Sequence, residues 1–379
     1  MTDMSSPGNA AVAARTTGIL PSQVLRQMIA RAEITAAVAI DELQIQPASI
    51  DLRLGNKAYR VPASFLPGPD ATVLEKLAEL SMHEIDLRDG AVLEKGCVYI
   101  VPVLEELALP ARVSAAANPK SSTGRLDIFT RLICDHAMEF ETVAAGYCGP
   151  LYTEISPRTF SVLVRTGSRL NQLRLRRGTP AASDSAMRRL QNEVGLVHGA
   201  DVDIREGVAV SVDLRGVDGL IGYRAKPHAG LIDVDRPDSY AVDGFWEPLH
   251  AGKSGVGGAD GLILNPDEFY ILASKEFITV PLDYAAEMRA YDTKVGEFRV
   301  HYAGFFDPGF GHDQVDGAGT RAVLEVRAHD VPYLIEDGQV VCRLVYEALT
   351  MVPDKLYGSA GIGSNYQRQG LKLSKHFKT

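Results

Sequence analysis

The second half of the chain repeats the first half at a constant offset. Adding 171 to a residue number aligns identical residues from position 93 to position 173: Leu93 with Leu264, Tyr99 with Tyr270, Glu154 with Glu325, and Leu173 with Leu344. The segments SIDLR at 49–53 and SVDLR at 211–215 also match, with an offset of 162. Because one offset rarely holds by chance over so long a stretch, the sequence predicts two copies of one structural module.

Short strand patterns separated by turn residues fill the first copy. Four stretches have the apolar, β-branched or alternating character of strands: 97–102, 152–155, 160–166 and 169–175. The only clear helical pattern is PSQVLRQMIARAEI at 21–34, with Ser22 as the predicted N-cap. This pattern predicts an all-β fold with a few short helices, either a barrel or a jelly roll.

Changes of composition divide the chain into five predicted parts. Residues 1–18 form a flexible lead-in without the apolar core of a signal peptide. Residues 19–180 and 206–350 are the two modules. Residues 181–205 follow a stretch with Gly, Pro and Ser and contain the pattern of a short polar helix, as an interdomain linker would. Residues 351–379 are Gly-rich and then basic. They are expected to form a C-terminal arm that closes over a ligand, the alternative being a frayed terminus.

Charge and cysteine content exclude several classes of protein. The net charge of −9 argues against general nucleic-acid binding, which needs a basic surface. No apolar run is long enough to cross a membrane. The four cysteines form no C-x-x-C pair, which favours a reducing cytoplasm. None of the nine His has a metal-ligand spacing with another His or Cys, so we expect no protein-bound metal and no zinc.

The segment KSSTGR places many hydrogen-bond donors next to one another. Lys120 supplies a point charge, Arg125 supplies a planar guanidinium, and the hydroxyls of Ser121 and Ser122 add further donors. This set suits a polyphosphate, although a solvent-exposed loop with ordinary turn chemistry is the plain alternative. The second copy has lost the hydroxyl pair and the Arg, because YDTKVG occupies the matching positions 291–296.

Both copies keep a Glu on a predicted strand. Glu154 lies in YTEI and Glu325 in VLEV, between apolar neighbours that make burial of a carboxylate costly unless it is paired or functional. Only the second copy also has an Asp-Pro-Gly turn, at Asp307 in HYAGFFDPGFG. The motifs are therefore divided between the copies, with the phosphate loop in one and the turn in the other.

Together these motifs resemble the dCTP deaminase family of the trimeric dUTPase-like superfamily. The resemblance covers PASIDLRLG at 47–55, the KSSTGR loop, the Asp-Pro-Gly turn followed by a strand Glu, an L-x-x-G turn, and a YQRQG tail. The doubled length is similar to the bimodular bacterial form. The resemblance implies two tandem distorted jelly-roll modules, with active sites between modules in a homo-oligomer of threefold symmetry or pseudo-symmetry.

The resemblance also implies roles for particular residues. The triphosphate would be bound by Lys120, Ser121, Ser122 and Arg125. The cytosine and the attacking water would be held by Ala303 and Asp307, and the nucleotide would be covered by Tyr366 and Gln369. Single-module relatives have an Arg two residues before the turn Asp, whereas this chain has Phe305.

The expected reaction is hydrolytic deamination of dCTP to dUTP and ammonia. Without zinc, one carboxylate must take a proton from water and deliver it to the leaving amine. Glu325 is the expected general base and Glu154 the second candidate, on the hypothesis that each chain has one complete site. Mg²⁺ is expected to arrive with the triphosphate. The alternatives are a dUTP pyrophosphatase, an enzyme that both deaminates and cleaves the triphosphate, and a non-catalytic nucleotide-binding module.

Overall fold

A computed structural model of the chain describes residues 15–198, 202–252, 261–290, 298–300, 304–312, 319–328, 330–358 and 370–378. Its regular elements are mostly β-strands, with four short helices and two 3-10 turns. The predicted all-β fold with a few short helices is therefore confirmed. Among the described residues, no helix is long and apolar enough to cross a membrane.

The first copy contains thirteen strands and three helices. The helices are α1 (Ser22–Ala30), α2 (Val73–Leu80) and α3 (Ser121–Gly124). The strands are β1 (Gly18–Ile19), β2 (Ile34–Ala36), β3 (Ile50–Leu52), β4 (Lys57–Val61), β5 (His83–Asp86), β6 (Ala91–Leu93), β7 (Val98–Ala108), β8 (Val113–Pro119), β9 (Ile128–Cys134), β10 (Thr142–Val143), β11 (Cys148–Pro157), β12 (Val162–Val164) and β13 (Asn171–Arg177). The four strand patterns identified from the sequence all lie in this set.

The second copy begins with helix α4 (Asp184–Val194). Its strands among the described residues are β14 (Val197–His198), β15 (Val208–Ser211), β16 (Leu220–Ala225), β17 (Ile232–Asp233), β18 (Trp246–His250), β19 (Gly261–Leu264), β20 (Phe269–Ile278), β21 (Tyr284–Ala290), β22 (Phe298–Val300), β23 (Phe305–Phe306), β24 (Thr320–Ala328), β25 (Tyr333–Glu336) and β26 (Val340–Ala348).

Each copy folds into the same pair of antiparallel sheets. In the first copy the strand orders are β1-β13-β8-β10 and β5-β4-β7-β11-β9. In addition, β3 pairs with β13 and β2 pairs with β7. In the second copy the corresponding orders are β15-β26-β21-β23 and β18-β16-β20-β24-β22, with β14 pairing beside β20. Two facing sheets with mainly apolar inner faces give the predicted jelly-roll architecture.

The strand registers confirm the offset of 171 and correct the offset of 162. Glu154 lies opposite Ile100, and Glu325 lies opposite Ile271, so the two strand Glu residues are structurally equivalent. In contrast, SIDLR and SVDLR are not equivalent. The backbone N–H of Arg53 donates to the Glu105 carboxylate, and that of Ser211 donates in the same way to Glu276. The structural offset at this strand is therefore 158. It rises to 164 at β16, where Tyr223 is the counterpart of Tyr59, and reaches 171 only after β18, so the second copy is longer in two places.

The two copies share one of their hydrophobic cores. This core contains Phe160 from the first copy, Trp246 and Phe269 from the second, and Phe377 from the C-terminal tail. The rings pack mainly edge to face at centroid distances of 5.4 to 6.3 Å, for example Phe160 on Trp246 at 5.6 Å. Strand β17 also joins the small sheet of β6 and β12. The copies therefore hold each other in a fixed arrangement.

Two helices differ from the sequence-based expectation. Helix α4 lies inside the predicted linker, and its residues Met187 and Leu190 pack in the core of the second copy. The helix is the counterpart of α1 and belongs to that copy. In α1 the N-cap is Pro21, and Ser22 is the first helical residue. The hydroxyl of Ser22 donates to the carboxylate of Asp354 and ties the helix to the segment after β26.

Candidate active site

A cavity between the two copies collects most of the described residues that the sequence pattern had singled out. Its wall from the first copy consists of Pro119, Lys120, Ser121, Gly124 and Arg125. Its wall from the second copy consists of Met288, Gly304, Phe305, Phe306, Asp307, Phe310, Val323, Glu325 and Tyr357. The divided motifs therefore meet within a single chain.

The phosphate loop forms one helical turn at the end of β8. Lys120 precedes this turn with extended backbone, and its ammonium pairs with the buried carboxylate of Asp51. The hydroxyl of Thr123 donates to the carbonyl of Leu170 at 2.9 Å, which fixes the turn against the strand region before β13. Ser122 and Arg125 are buried, so this segment is not the solvent-exposed loop of the plain alternative.

Glu325 lies in the middle of β24 and is 7% exposed. Burial raises the pKa of its carboxyl to about 8, because the charged form loses its hydration. The positive charge of Arg125 opposes this shift, and the negative charge of Asp127 adds to it. The Nε of Arg125 lies 3.9 Å from Oε1 of Glu325. A carboxyl in this setting exchanges a proton close to neutral pH, as an acid–base catalyst must.

Asp307 begins the predicted Asp-Pro-Gly turn. The N–H of Phe310 donates to the Asp307 carbonyl at 3.1 Å, and Gly309 has a φ of +91° that favours glycine. Burial raises the pKa of the Asp307 carboxyl, while Arg174 opposes the rise. The turn thus directs a second buried carboxylate to the same cavity as Glu325.

Glu154 has a different environment from its equivalent in the second copy and does not line the cavity. The guanidinium of Arg131 donates to Oε1 of Glu154 at 2.8 and 3.2 Å. The same guanidinium lies 3.5 Å from the ring centroid of Phe140 and donates to the hydroxyl of Ser64. This buried carboxylate is held in an ion pair inside the first copy, as expected of a structural residue.

The end of the C-terminal tail is packed against the phosphate loop. The carbonyl of Lys372 accepts a hydrogen bond from Arg125 at 2.9 Å, and the hydroxyl of Ser374 donates to the carbonyl of Ser122 at 2.9 Å. Leu373 and Phe377 are buried in the shared core. Residues 370–378 are therefore anchored and not frayed. The predicted covering residues Tyr366 and Gln369, and the predicted base-side residue Ala303, lie outside the described residues.

We predict that Ser374→Ala weakens dCTP binding because it loosens the tail. The hydroxyl contacts the carbonyl of Ser122 and Nδ1 of His376. A hydrogen bond contributes about 0.5–1.5 kcal/mol to the stability of the packed tail, so KM should rise by at most roughly 12-fold. Steady-state kinetics and thermal unfolding check this expectation. Ser239→Ala is the matched control, because that hydroxyl donates to Pro237 on the surface. An unchanged KM in the Ser374 variant would show that the tail anchor does not affect nucleotide binding.

No sequence motif points to two arginines that connect the copies at this site. Arg174 of β13 reaches Asp307, and Arg327 of β24 pairs with Asp127 at the end of the phosphate loop. Arg327 lies two residues after Glu325, so its side chain is on the same face of the strand. Neither residue belongs to a recognisable motif, and only the fold brings them to their partners. In the described part of the chain, no group of three His, Cys, Asp or Glu side chains is arranged to hold a metal ion.

Comparison with known proteins identifies the family. The sequence model of the N-terminal domain of 2'-deoxycytidine 5'-triphosphate deaminase matches residues 16–179, and that of the C-terminal domain matches residues 183–377. The chain belongs to the 2'-deoxycytidine 5'-triphosphate deaminase family. A solved structure named as this deaminase from Agrobacterium tumefaciens is similar, with 56% identity and a TM-score of 0.84, over 88% of this chain and all of that chain.

Single-module members of the deaminase family are also similar. A protein named dCTP deaminase, dUMP-forming, from Methanobrevibacter smithii is 29% identical over 163 residues, which are 42% of this chain and 75% of the relative. A protein of the same name from Methanothermobacter thermautotrophicus is 29% identical over 162 residues, 41% of this chain and 72% of the relative. These matches cover less than half of this chain, as expected for its doubled length.

Proposed function

We propose that the chain deaminates dCTP by hydrolysis, giving dUTP and ammonia at one complete site per chain. The observation that carries this proposal is the cavity in which the phosphate loop of the first copy faces Glu325 and Asp307 of the second. Membership of the deaminase family supports the same substrate and reaction.

In the proposed mechanism Glu325 transfers a proton twice. Its carboxylate takes a proton from water as the oxygen bonds to C4 of the cytosine ring, and the resulting acid then protonates the amine. The C4–N bond breaks and ammonia leaves. The remaining hydroxyl proton ends on N3 of the ring, which gives the C4 carbonyl and the N3–H of uracil. A pKa raised to about 8 keeps both forms of Glu325 accessible near neutral pH. Asp307 would orient the base in the cavity, together with Ala303.

The triphosphate would bind at the phosphate loop. Lys120, Ser121, Ser122 and Arg125 would contact its oxygens, and Tyr366 and Gln369 would cover the nucleotide from the tail. Mg²⁺ would enter as part of the substrate, bound by phosphate oxygens and water. The anchoring of residues 370–378 on Ser122 and Arg125 supports this arrangement, because it fixes the end of the tail beside the phosphate loop.

A second candidate activity is cleavage of the triphosphate after deamination. The single-module relatives carry names that describe dUMP formation, which favours this alternative. Incubation with dCTP, and separately with dUTP, distinguishes the possibilities. We expect ammonia and dUTP from dCTP, with no pyrophosphate. Release of pyrophosphate from dCTP would identify the combined activity, and release from dUTP alone would identify a pyrophosphatase. Binding of dCTP without any product would identify a non-catalytic module.

We also propose a homo-oligomer with threefold symmetry or pseudo-symmetry, located in the cytoplasm. The four cysteines are free thiols, which fits a reducing compartment. Light scattering of the intact protein is expected to give the mass of an oligomer. An isolated copy should be inactive, because each copy alone lacks part of the motif set. A monomer with full dCTP turnover would contradict the predicted assembly.

A further inference from the structure

Arg174 is a buried side chain of the first copy whose hydrogen bonds are made to the second copy. It lies on β13 and is 1% exposed. Its guanidinium donates to the carbonyl of Ala286 at 3.0 Å and to the carbonyl of Phe306 at 3.3 Å. It also contacts Oδ1 of Asp307 at 3.4 Å. One side chain therefore connects β21 to the backbone and the carboxylate at the start of the Asp-Pro-Gly turn.

The same guanidinium also packs against an aromatic ring and a second carboxylate. It lies 3.9 Å from the ring centroid of Phe305, which lines the cavity. Its Nη1 is 3.8 Å from Oε2 of the buried Glu347. A planar guanidinium can bind carbonyls and a carboxylate in its plane while its face contacts a ring, and an ammonium cannot reproduce this geometry.

We propose that Arg174 is a positioning residue for the deamination reaction, holding Asp307 and residues 305–306 in the geometry that the cavity requires. This inference rests on the proposed function. Arg174 is not among the residues that line the cavity, so it would act through Asp307 and not by touching the nucleotide. The wall that Phe305, Phe306 and Asp307 of the second copy form in the cavity would thus depend on a cation from the first copy.

The charge of Arg174 has a second consequence for Asp307. Burial raises the pKa of this carboxyl, Arg174 and Lys120 oppose the rise, and Asp51 adds to it. Removal of Arg174 therefore raises the pKa of Asp307 further, so that a higher pH is needed to ionise it. A variant without the cation should lose more activity at pH 7 than at pH 9. Loss of structure alone would not produce this pH dependence.

Three variants of Arg174 and one control test the proposal. Arg174→Lys keeps a charge but loses the planar contacts, Arg174→Gln removes the charge, and Arg174→Ala leaves a space that guanidinium ion can enter. Arg176→Gln is the matched control, because Arg176 lies on the same strand and is 4.0 Å from Glu347. All proteins are compared by circular dichroism and thermal unfolding before kinetics with dCTP.

We expect Arg174→Lys and Arg174→Gln to lose about tenfold or more in kcat/KM at pH 7, and Arg176→Gln to change less than about threefold. The loss in Arg174→Gln should be smaller at pH 9. Millimolar guanidinium chloride, but not urea, should restore part of the activity of Arg174→Ala. If Arg174→Ala does not fold, the activities of Arg174→Lys and Arg174→Gln test whether Arg174 is a positioning residue.

Folded Arg174→Lys and Arg174→Gln proteins with the kcat/KM of the unmodified enzyme would overturn the inference while leaving the proposed function intact. A loss in Arg174→Gln that is equal at pH 7 and pH 9 would also overturn it. Failure of the unmodified protein to convert dCTP would instead refute the proposed function.

Discussion

Glu325→Gln is expected to reduce dCTP turnover by roughly 10²–10⁴-fold while dCTP remains bound. The amide keeps the size of the side chain but cannot accept a proton from water. The phosphate loop is on the other copy and keeps all its residues, although Arg125 loses the negative charge of its neighbour Glu325. Single-turnover kinetics and equilibrium binding of dCTP measure the two effects separately.

Glu154→Gln is the matched control, because the two residues occupy equivalent positions in the two copies. Its carboxylate is paired with Arg131 and lies outside the cavity lining, so the variant should keep most of its activity. An inactive Glu154→Gln together with an active Glu325→Gln would reverse the assignment and make the first copy catalytic.

The raised pKa of Glu325 also predicts how the stability of Glu325→Gln, relative to that of the unmodified protein, depends on pH. A carboxyl with a pKa of about 8 in the folded state, against 4.5 as its ordinary value, binds more protons folded than unfolded between these limits. Stability contributed by this group is therefore lost as pH rises from about 4.5 to 8. Gln does not titrate, so the stability of Glu325→Gln relative to the unmodified protein should increase by on the order of 3 kcal/mol over this range. Denaturant unfolding at pH 5 and pH 8 checks the sign.

The fold and half of the site could be predicted because their determinants are local. Strand periodicity and turn residues depend on neighbours in sequence, and they indicate the all-β fold. The repeat that aligns Leu93 with Leu264 can be read directly from the sequence, and it indicates the duplication. The KSSTGR loop and the Asp-Pro-Gly turn are also local motifs. Their division between copies predicted that one cavity would need both, and the structure brings them together.

The contacts across the copies could not be predicted, because they depend on how two folded surfaces meet. Arg174 and Arg327 look like ordinary strand residues in the sequence. The sequence of helix α4 is mostly polar, which is typical of a linker, yet Met187 and Leu190 are buried and pack the helix on the core of the second copy. The match of SIDLR to SVDLR is wrong because a similarity of five residues does not determine strand register. The pairing of each strand with its neighbours makes Arg53, and not Ser49, the counterpart of Ser211.

Arg125→Ala is expected to weaken dCTP binding roughly 10- to 150-fold and to weaken deoxycytidine binding far less. A charge-assisted hydrogen bond to phosphate typically contributes about 1.5–3 kcal/mol, and the nucleoside has no phosphate to lose. Arg88→Ala is a suitable control, because Arg88 is an exposed arginine of the same copy, paired with Asp86.

Turnover alone cannot test this assignment, because Arg125 also lowers the pKa of Glu325. Its removal would raise that pKa further and slow the reaction even if no phosphate contact were lost. Binding is therefore best measured in the Glu325→Gln background, where no carboxyl titrates at position 325 and dCTP is not consumed. In that background the difference between dCTP and deoxycytidine reports the phosphate contact directly. Equal losses for both ligands would remove Arg125 from the phosphate site and leave it as a neighbour of the general base.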